Sequence, residues 1–178
     1  MNPWKRALVW IVLLGGAAVL ASYAYILGLD PSTQAGLWGG VPPAVLPAYA
    51  ISMVLAVGGY FSFTFYLYFR VDPEEARIAG RFDFSLFPVL YLLILVSSAL
   101  WLPLTAVMVQ EPTSALWLAI RLVLALVGLA SVALLLALLG LRPRRPAVSF
   151  WLAVVGALAF SFQTAVLDLF VWTSLFPA

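Results

Sequence analysis

The chain has 178 residues, is 65% hydrophobic and only 9% charged, and carries a net charge of +2. That balance excludes an ordinary soluble domain and describes a polytopic membrane protein. The basic, solvated face that nucleic-acid binding needs is missing. With no cysteine and no histidine, there are no disulfides, no zinc sites of the usual type and none of the common acid–base side chain near neutral pH. We therefore expect a non-enzymatic protein with no catalytic residues, no metal site and no cofactor.

Five apolar runs, at about 7–29, 44–69, 84–109, 114–140 and 147–174, are each long enough to cross a bilayer, which takes ~20 apolar residues in a helix. The predicted fold is all-α, a single five-transmembrane-helix bundle over residues 1–178. With five crossings, Lys5, Arg6, Arg70, Arg77, Arg81, Arg142, Arg144 and Arg145 all fall on one side, and the other side carries only Asp30 and Glu111. Basic flanks stay on the cytoplasmic side, which puts the N terminus inside and the C terminus outside. The expected location is a prokaryotic inner membrane, with lipid as the constant partner. The first run resembles a signal peptide in its basic start, but its apolar stretch continues to Leu29, so a retained helix is expected.

The outer loop, residues 30–43, holds Gly36, Trp38, Gly39, Gly40, Pro42 and Pro43, a mixture that predicts turns. Trp38 suits either an interfacial anchor or a lid over a cavity. The second run ends in an aromatic block before Arg70. In the next loop Asp72-Pro73-Glu74-Glu75 has the form of a helix start, which predicts a short surface helix. The third run contains Pro88 and Pro103. Interior prolines kink a helix and free a carbonyl, and Ser98, Trp101 and Thr105 lie near one face beside Pro103.

The fourth and fifth runs are antiparallel neighbours, because only Leu141 to Pro146 joins them. Arg121, Ala125, Gly128 and Ser131 form a stripe on one. Ala153, Ala157, Ser161, Thr164 (or Ala165) and Asp168 form a stripe on the other. Small residues let membrane helices approach closely. Arg121 and Asp168 are the only charges well inside the runs, and a charge deep in lipid costs at least ~2.5–3.5 kcal/mol. At ~1.5 Å per residue both lie roughly 10 Å below the outer boundary. A buried ion pair between them is expected. Two alternatives are a polar floor for an outward cavity, with Gln163 nearby, and an Arg121 that snorkels.

Trp38 followed by Pro42-Pro43 at the entry to the second helix, and Leu100-Trp101-Leu102-Pro103 in the third, resemble elements of the translocator protein / tryptophan-rich sensory protein family. Ser98 falls close to where that family has Asn. The family's Trp-Tyr and Lys-Pro elements in the first loop are absent, and Gln163 is at best a displaced substitute for its fifth-helix Asn. The resemblance implies a five-helix bundle, dimeric, that binds a porphyrin- or sterol-like apolar ligand under the first loop. Trp38, Pro43 and Trp101 would then line the pocket or its lid. With Pro42, Ser98, Pro103 and Gln163, these are the candidate ligand-binding residues. The rival readings are a structural or accessory subunit of a larger membrane complex, and a small transporter.

Overall fold

The computed structural model describes residues 2–177. Its elements run α1 (Pro3–Leu27), α2 (Pro31–Gly36), a 3-10 turn (Pro43–Val45), α3 (Leu46–Phe69), β1 (Arg77–Ile78), α4 (Leu86–Gln110), α5 (Ser114–Gly140), β2 (Leu141–Arg142) and α6 (Ala147–Ser161). α6 continues without a break as a π-helix (Phe162–Trp172) and a last turn α7 (Thr173–Leu175). Five helices are long and apolar enough to cross a membrane: α1, α3, α4, α5 and the continuous Ala147–Leu175 helix.

Prolines and polar caps set the helix ends. Asn2 accepts from the Trp4 N–H at 3.0 Å, with Pro3 at the first turn. The Thr113 hydroxyl caps the Leu116 N–H at 3.2 Å. Pro88 lies in the first turn of α4, where its missing N–H would have had no helical partner, so only Pro103 is interior.

The spanning helices form a ring. α1 packs on α4, α4 on α5, α5 on α6 and its π continuation, and α6 on α3. No extended seam joins α3 back to α1. The tightest approach is between α3 and α6: a Cβ on Gly59 would stand 2.2 Å from the Gly156 carbonyl oxygen. α1 meets α4 in the same manner, with Gly15 set against Leu95. At Gly128 of α5 a Cβ would meet the Ala165 Cα at 3.2 Å, so the expected α5–α6 stripes do face each other there. Phe63, Tyr66, Phe87, Tyr91 and Phe150 fill the core.

The basic residues share one end of the bundle. Arg77 and Ile78 pair antiparallel with Arg142 and Leu141, and Lys5 lines a recess with residues 70–74. The short helix expected at Asp72 is corrected to a single turn. The Asp72 carboxylate accepts from the Glu74 N–H at 3.0 Å, and the Ala76 N–H reaches the Asp72 carbonyl at 3.0 Å. The chain then leaves as β1, because Ala76 and Ile78 are buried and the ladder takes up the backbone groups that a longer helix would have used. Arg144 closes the same end by donating to the Leu141 and Leu139 carbonyls, where the negative end of the α5 dipole favours a cation.

Paired glycines provide a test. Gly59→Ala or Gly156→Ala should lower unfolding stability by about 1–3 kcal/mol through overpacking. Gly58→Ala, with nothing within 4 Å of its added Cβ, should be neutral or stabilising. Thermal unfolding in a mild detergent measures both.

Candidate functional site

One group of polar side chains lies in the half of the bundle away from the basic end, around the π segment. In an α-helix, residues five apart sit about 140° apart around the axis. In a π-helix they are hydrogen-bonded neighbours along it. That geometry lets the Gln163 side-chain amide donate to Asp168 Oδ1 at 2.8 Å. The wider helix is fastened to two neighbours. The Thr164 and Ser131 hydroxyls meet at 2.7 Å across the α5 seam. The Tyr49 hydroxyl of α3, with its residue only 2% exposed, donates to the Leu167 carbonyl at 3.1 Å.

The Asp168 carboxyl lies within electrostatic range of the hydroxyls of Tyr49 on α3 and Tyr23 on α1. Asp168 itself is half-buried. Gln163 is only 6% exposed, and its Oε1 has no hydrogen-bond partner. Buried polar atoms without partners are rare and each calls for an explanation.

Above this level the bundle is closed by aromatic rings. Trp172, 3% exposed, packs edge-on to Trp101 at 5.8 Å, and Phe176 stacks on Trp117 at 5.4 Å. The first loop is tied to this plug. The Trp172 indole N–H donates to the Leu37 carbonyl at 3.0 Å, and the Gly40 N–H donates to the Leu175 carbonyl at 3.0 Å. Gly40 has to be glycine, since a Cβ there would stand 2.4 Å from that same carbonyl oxygen. The loop carries the helix α2, where turns were expected. Asp30 caps it by accepting from Thr33, backbone and side chain, and from the Ser32 hydroxyl. Those hydroxyls and the Thr33 N–H hold the Asp30 carboxyl well below the usual carboxylate range. Helix α2 in turn rests on α4, with Gly36 against Val109.

The candidate residues therefore separate. Trp38 packs edge-on over Tyr49 at 6.1 Å and stays partly exposed. Trp101 belongs to the plug. Pro42 and Pro43 are exposed at the entry to α3. Ser98 and Pro103 are half-buried on α4, and the Thr105 hydroxyl back-bonds to the Trp101 carbonyl at 2.7 Å. Gln163 and Asp168 come together.

The expected ion pair is not formed. Arg121 is exposed on the flank of α5, and among the described residues it makes no ion pair with Asp168. Distance along each helix does not fix rotation about its axis, and Arg121 turns to the exposed side of α5 while Asp168 is half-buried. Sequence reasoning missed Tyr49, Tyr23 and the π-helix. The one available signal was the five-residue spacing of Gln163 and Asp168, which fits no α-helical face.

The fold defines a class: a nearly all-helical membrane bundle with five helices of spanning length. No protein-family model matches the chain, and no curated protein or solved structure shows significant similarity to it.

A double-mutant cycle checks the separation of the two charges. The coupling energy between Arg121→Gln and Asp168→Asn should stay within about 0.5 kcal/mol, as for sites that do not touch. A coupling of several kcal/mol would restore the ion pair.

Proposed function

We propose that this is a non-enzymatic integral membrane protein that binds an apolar small molecule between its helices, admitted sideways from the bilayer between α1 and α3. One observation carries the reading. A groove of about 400 Å³ lies between these helices, lined by Val9, Val12 and Leu13 on one side and Phe61, Thr64 and Phe65 on the other. Its volume falls in the range of small-molecule sites, and an apolar lining with a few polar groups is their usual chemistry. The entry differs from the one expected under the Trp38 loop, because the ring plug occupies that place. The likeness to the translocator protein / tryptophan-rich sensory protein family in Leu100-Trp101-Leu102-Pro103 points to the same class of ligand, a porphyrin- or sterol-like apolar body.

The groove can be tested by filling it. Val9→Phe and Leu13→Phe should abolish saturable binding of dodecanol to the protein in lipid nanodiscs. Leu20→Phe, at a position 72% exposed on α1, should leave that binding intact. Equal binding by all three variants would remove the reading.

We also propose that the basic end faces the cytoplasm of a prokaryotic inner membrane, because eight of the nine lysines and arginines flank the helices there. The chain has no cysteine, so single cysteines report topology cleanly. A membrane-impermeant thiol reagent applied to intact cells should label Glu111→Cys and spare Arg81→Cys.

Arg121 favours a second reading, an accessory subunit of a membrane complex. An arginine exposed at that depth is met either by lipid headgroups through its long stem or by a partner's acid. Photocrosslinking from position 121 in native membranes separates these: a discrete protein adduct supports the subunit, and lipid adducts alone remove it.

A further inference from the structure

The basic end of the bundle holds an open recess of about 610 Å³. Its walls carry Lys5 on α1, Arg70 just past the end of α3, and Asp72 and Glu74 in the loop beyond. Tyr68 and Phe69 line this recess and also line the apolar groove between α1 and α3. Recess and groove are therefore continuous, polar at the end of the bundle and apolar along its flank.

Helical spacing makes that continuity. Lys5, Leu8, Val9 and Val12 follow one another at steps of three, one and three, which puts the lysine on the face of α1 that lines the groove. Phe61, Phe65 and Phe69 recur every four residues on α3 and line the facing wall. Arg70 marks the junction, with its guanidinium 5.7 Å from the centre of the Phe65 ring. From Phe61 to Phe69 the helix rises about 12 Å, against ~15 Å for the hydrocarbon of one leaflet. The groove has the length of most of an acyl chain.

The recess brings both signs of charge together. Lys5 and Arg70 balance Asp72 and Glu74, and among the described residues these four side chains form no ion pair with one another. The Asp72 carboxylate accepts from the Glu74 N–H, a bond that fixes the turn and supplies no cation. An anionic headgroup would meet the two cations but would also stand against the two carboxylates. A zwitterionic headgroup answers both. Its phosphate accepts from Lys5 and Arg70, and a primary ammonium brings three donors to Asp72 and Glu74. The positive end of α1 opens on the same recess, with Asn2 in its wall, and adds to the attraction for phosphate.

We propose that recess and groove together bind one zwitterionic aminophospholipid of the bilayer, its phosphoethanolamine group in the recess and one acyl chain in the groove. The proposal rests on the lateral-groove reading and names its occupant. The lipid enters from the leaflet at the basic end and keeps its headgroup at the level of that leaflet's surface.

Dioctanoyl phosphatidylethanolamine and dioctanoyl phosphatidylglycerol are chain-matched probes that differ in headgroup charge. Native mass spectrometry of the full-length protein in detergent counts the bound lipids and gives each Kd. The ethanolamine lipid should form a one-to-one adduct at least about fivefold tighter than the glycerol lipid, the scale of partly exposed charge pairs. Asp72→Asn combined with Glu74→Gln should bring that ratio to about one. Asparagine keeps an acceptor for the Glu74 N–H, so the turn survives. Lys5→Gln should weaken both lipids. Val9→Phe should weaken both and leave the ratio unchanged.

Equal or tighter binding of the glycerol lipid to the wild-type protein overturns the proposal, whatever the variants do. A preference that survives the loss of both carboxylates overturns it, as does lipid binding untouched by Val9→Phe. The groove reading stands apart from these outcomes: dodecanol binding that is lost on Val9→Phe, with no headgroup preference, keeps the groove and removes the lipid. If neither dodecanol nor either lipid binds saturably, the groove reading fails and the proposal falls with it.

Discussion

The contact between Gly59 and Gly156 organises the rest of the bundle. With no side chain on either residue, the backbones of α3 and α6 touch. In a membrane there is little hydrophobic drive between helices, and dense packing does most of the work. Backbone contact at this point brings the flanking residues into register. Phe63 and Tyr60 then meet Phe160 on one side of the crossing. On the other side, Tyr49 reaches the π segment. α5 and α4 complete the ring behind α6, and α1 joins through α4 at Gly15 and Leu95. The gap between α1 and α3 follows from this arrangement. α3 is held on α6 and α1 on α4, and among the described residues no extended seam joins α1 to α3.

A second constraint is that backbone and side-chain polar groups inside a bilayer must find partners within the protein. Most of this chain obeys it by back-bonding: Ser22 to Val19, Thr105 to Trp101 and Ser131 to Gly128. The π-helix departs from the pattern. Its turn is wider, so it takes two interhelical fasteners, Thr164 with Ser131 and Leu167 with Tyr49, to hold it in place. The Gln163 Oε1 that it leaves unpartnered belongs to the amide that donates to Asp168. Above it the plug of Trp101, Trp117, Trp172 and Phe176 ties the first loop to the end of the fifth spanning helix.

Several features were legible in the residues. The fourth run, 114–140, coincides with α5 (Ser114–Gly140), and the others agree within a few residues. Hydrocarbon thickness and flanking prolines and charges bound a spanning helix almost without reference to its neighbours. Local geometry at the loops was less legible. Asp72-Pro73 has the signature of a helix start, yet buried Ala76 and Ile78 pull the chain into a ladder with residues far along it. Pro88 and Pro103 look equivalent in an apolar run, and only the start of α4 makes one harmless. The pairing expected of Arg121 and Asp168 is not formed. Depth depends on distance along each helix, whereas pairing depends on rotation about each axis.

By itself the sequence determined that this chain forms five membrane-length helices, with its basic loop residues gathered at one end and two charges set within the apolar runs. Those properties come from the one-dimensional order of apolar and charged residues and the thickness of a bilayer. The tertiary structure decided which helices touch, which face each presents, and where the winding changes from α to π. Gly58 and Gly59 are adjacent and chemically identical, yet one looks into open space and the other meets a backbone. Gln163 and Asp168 are strangers on an α-helix and partners on a π-helix. Such choices are made by rotations of a fraction of a turn. A uniformly apolar sequence specifies those rotations only through the packing of all five helices at once.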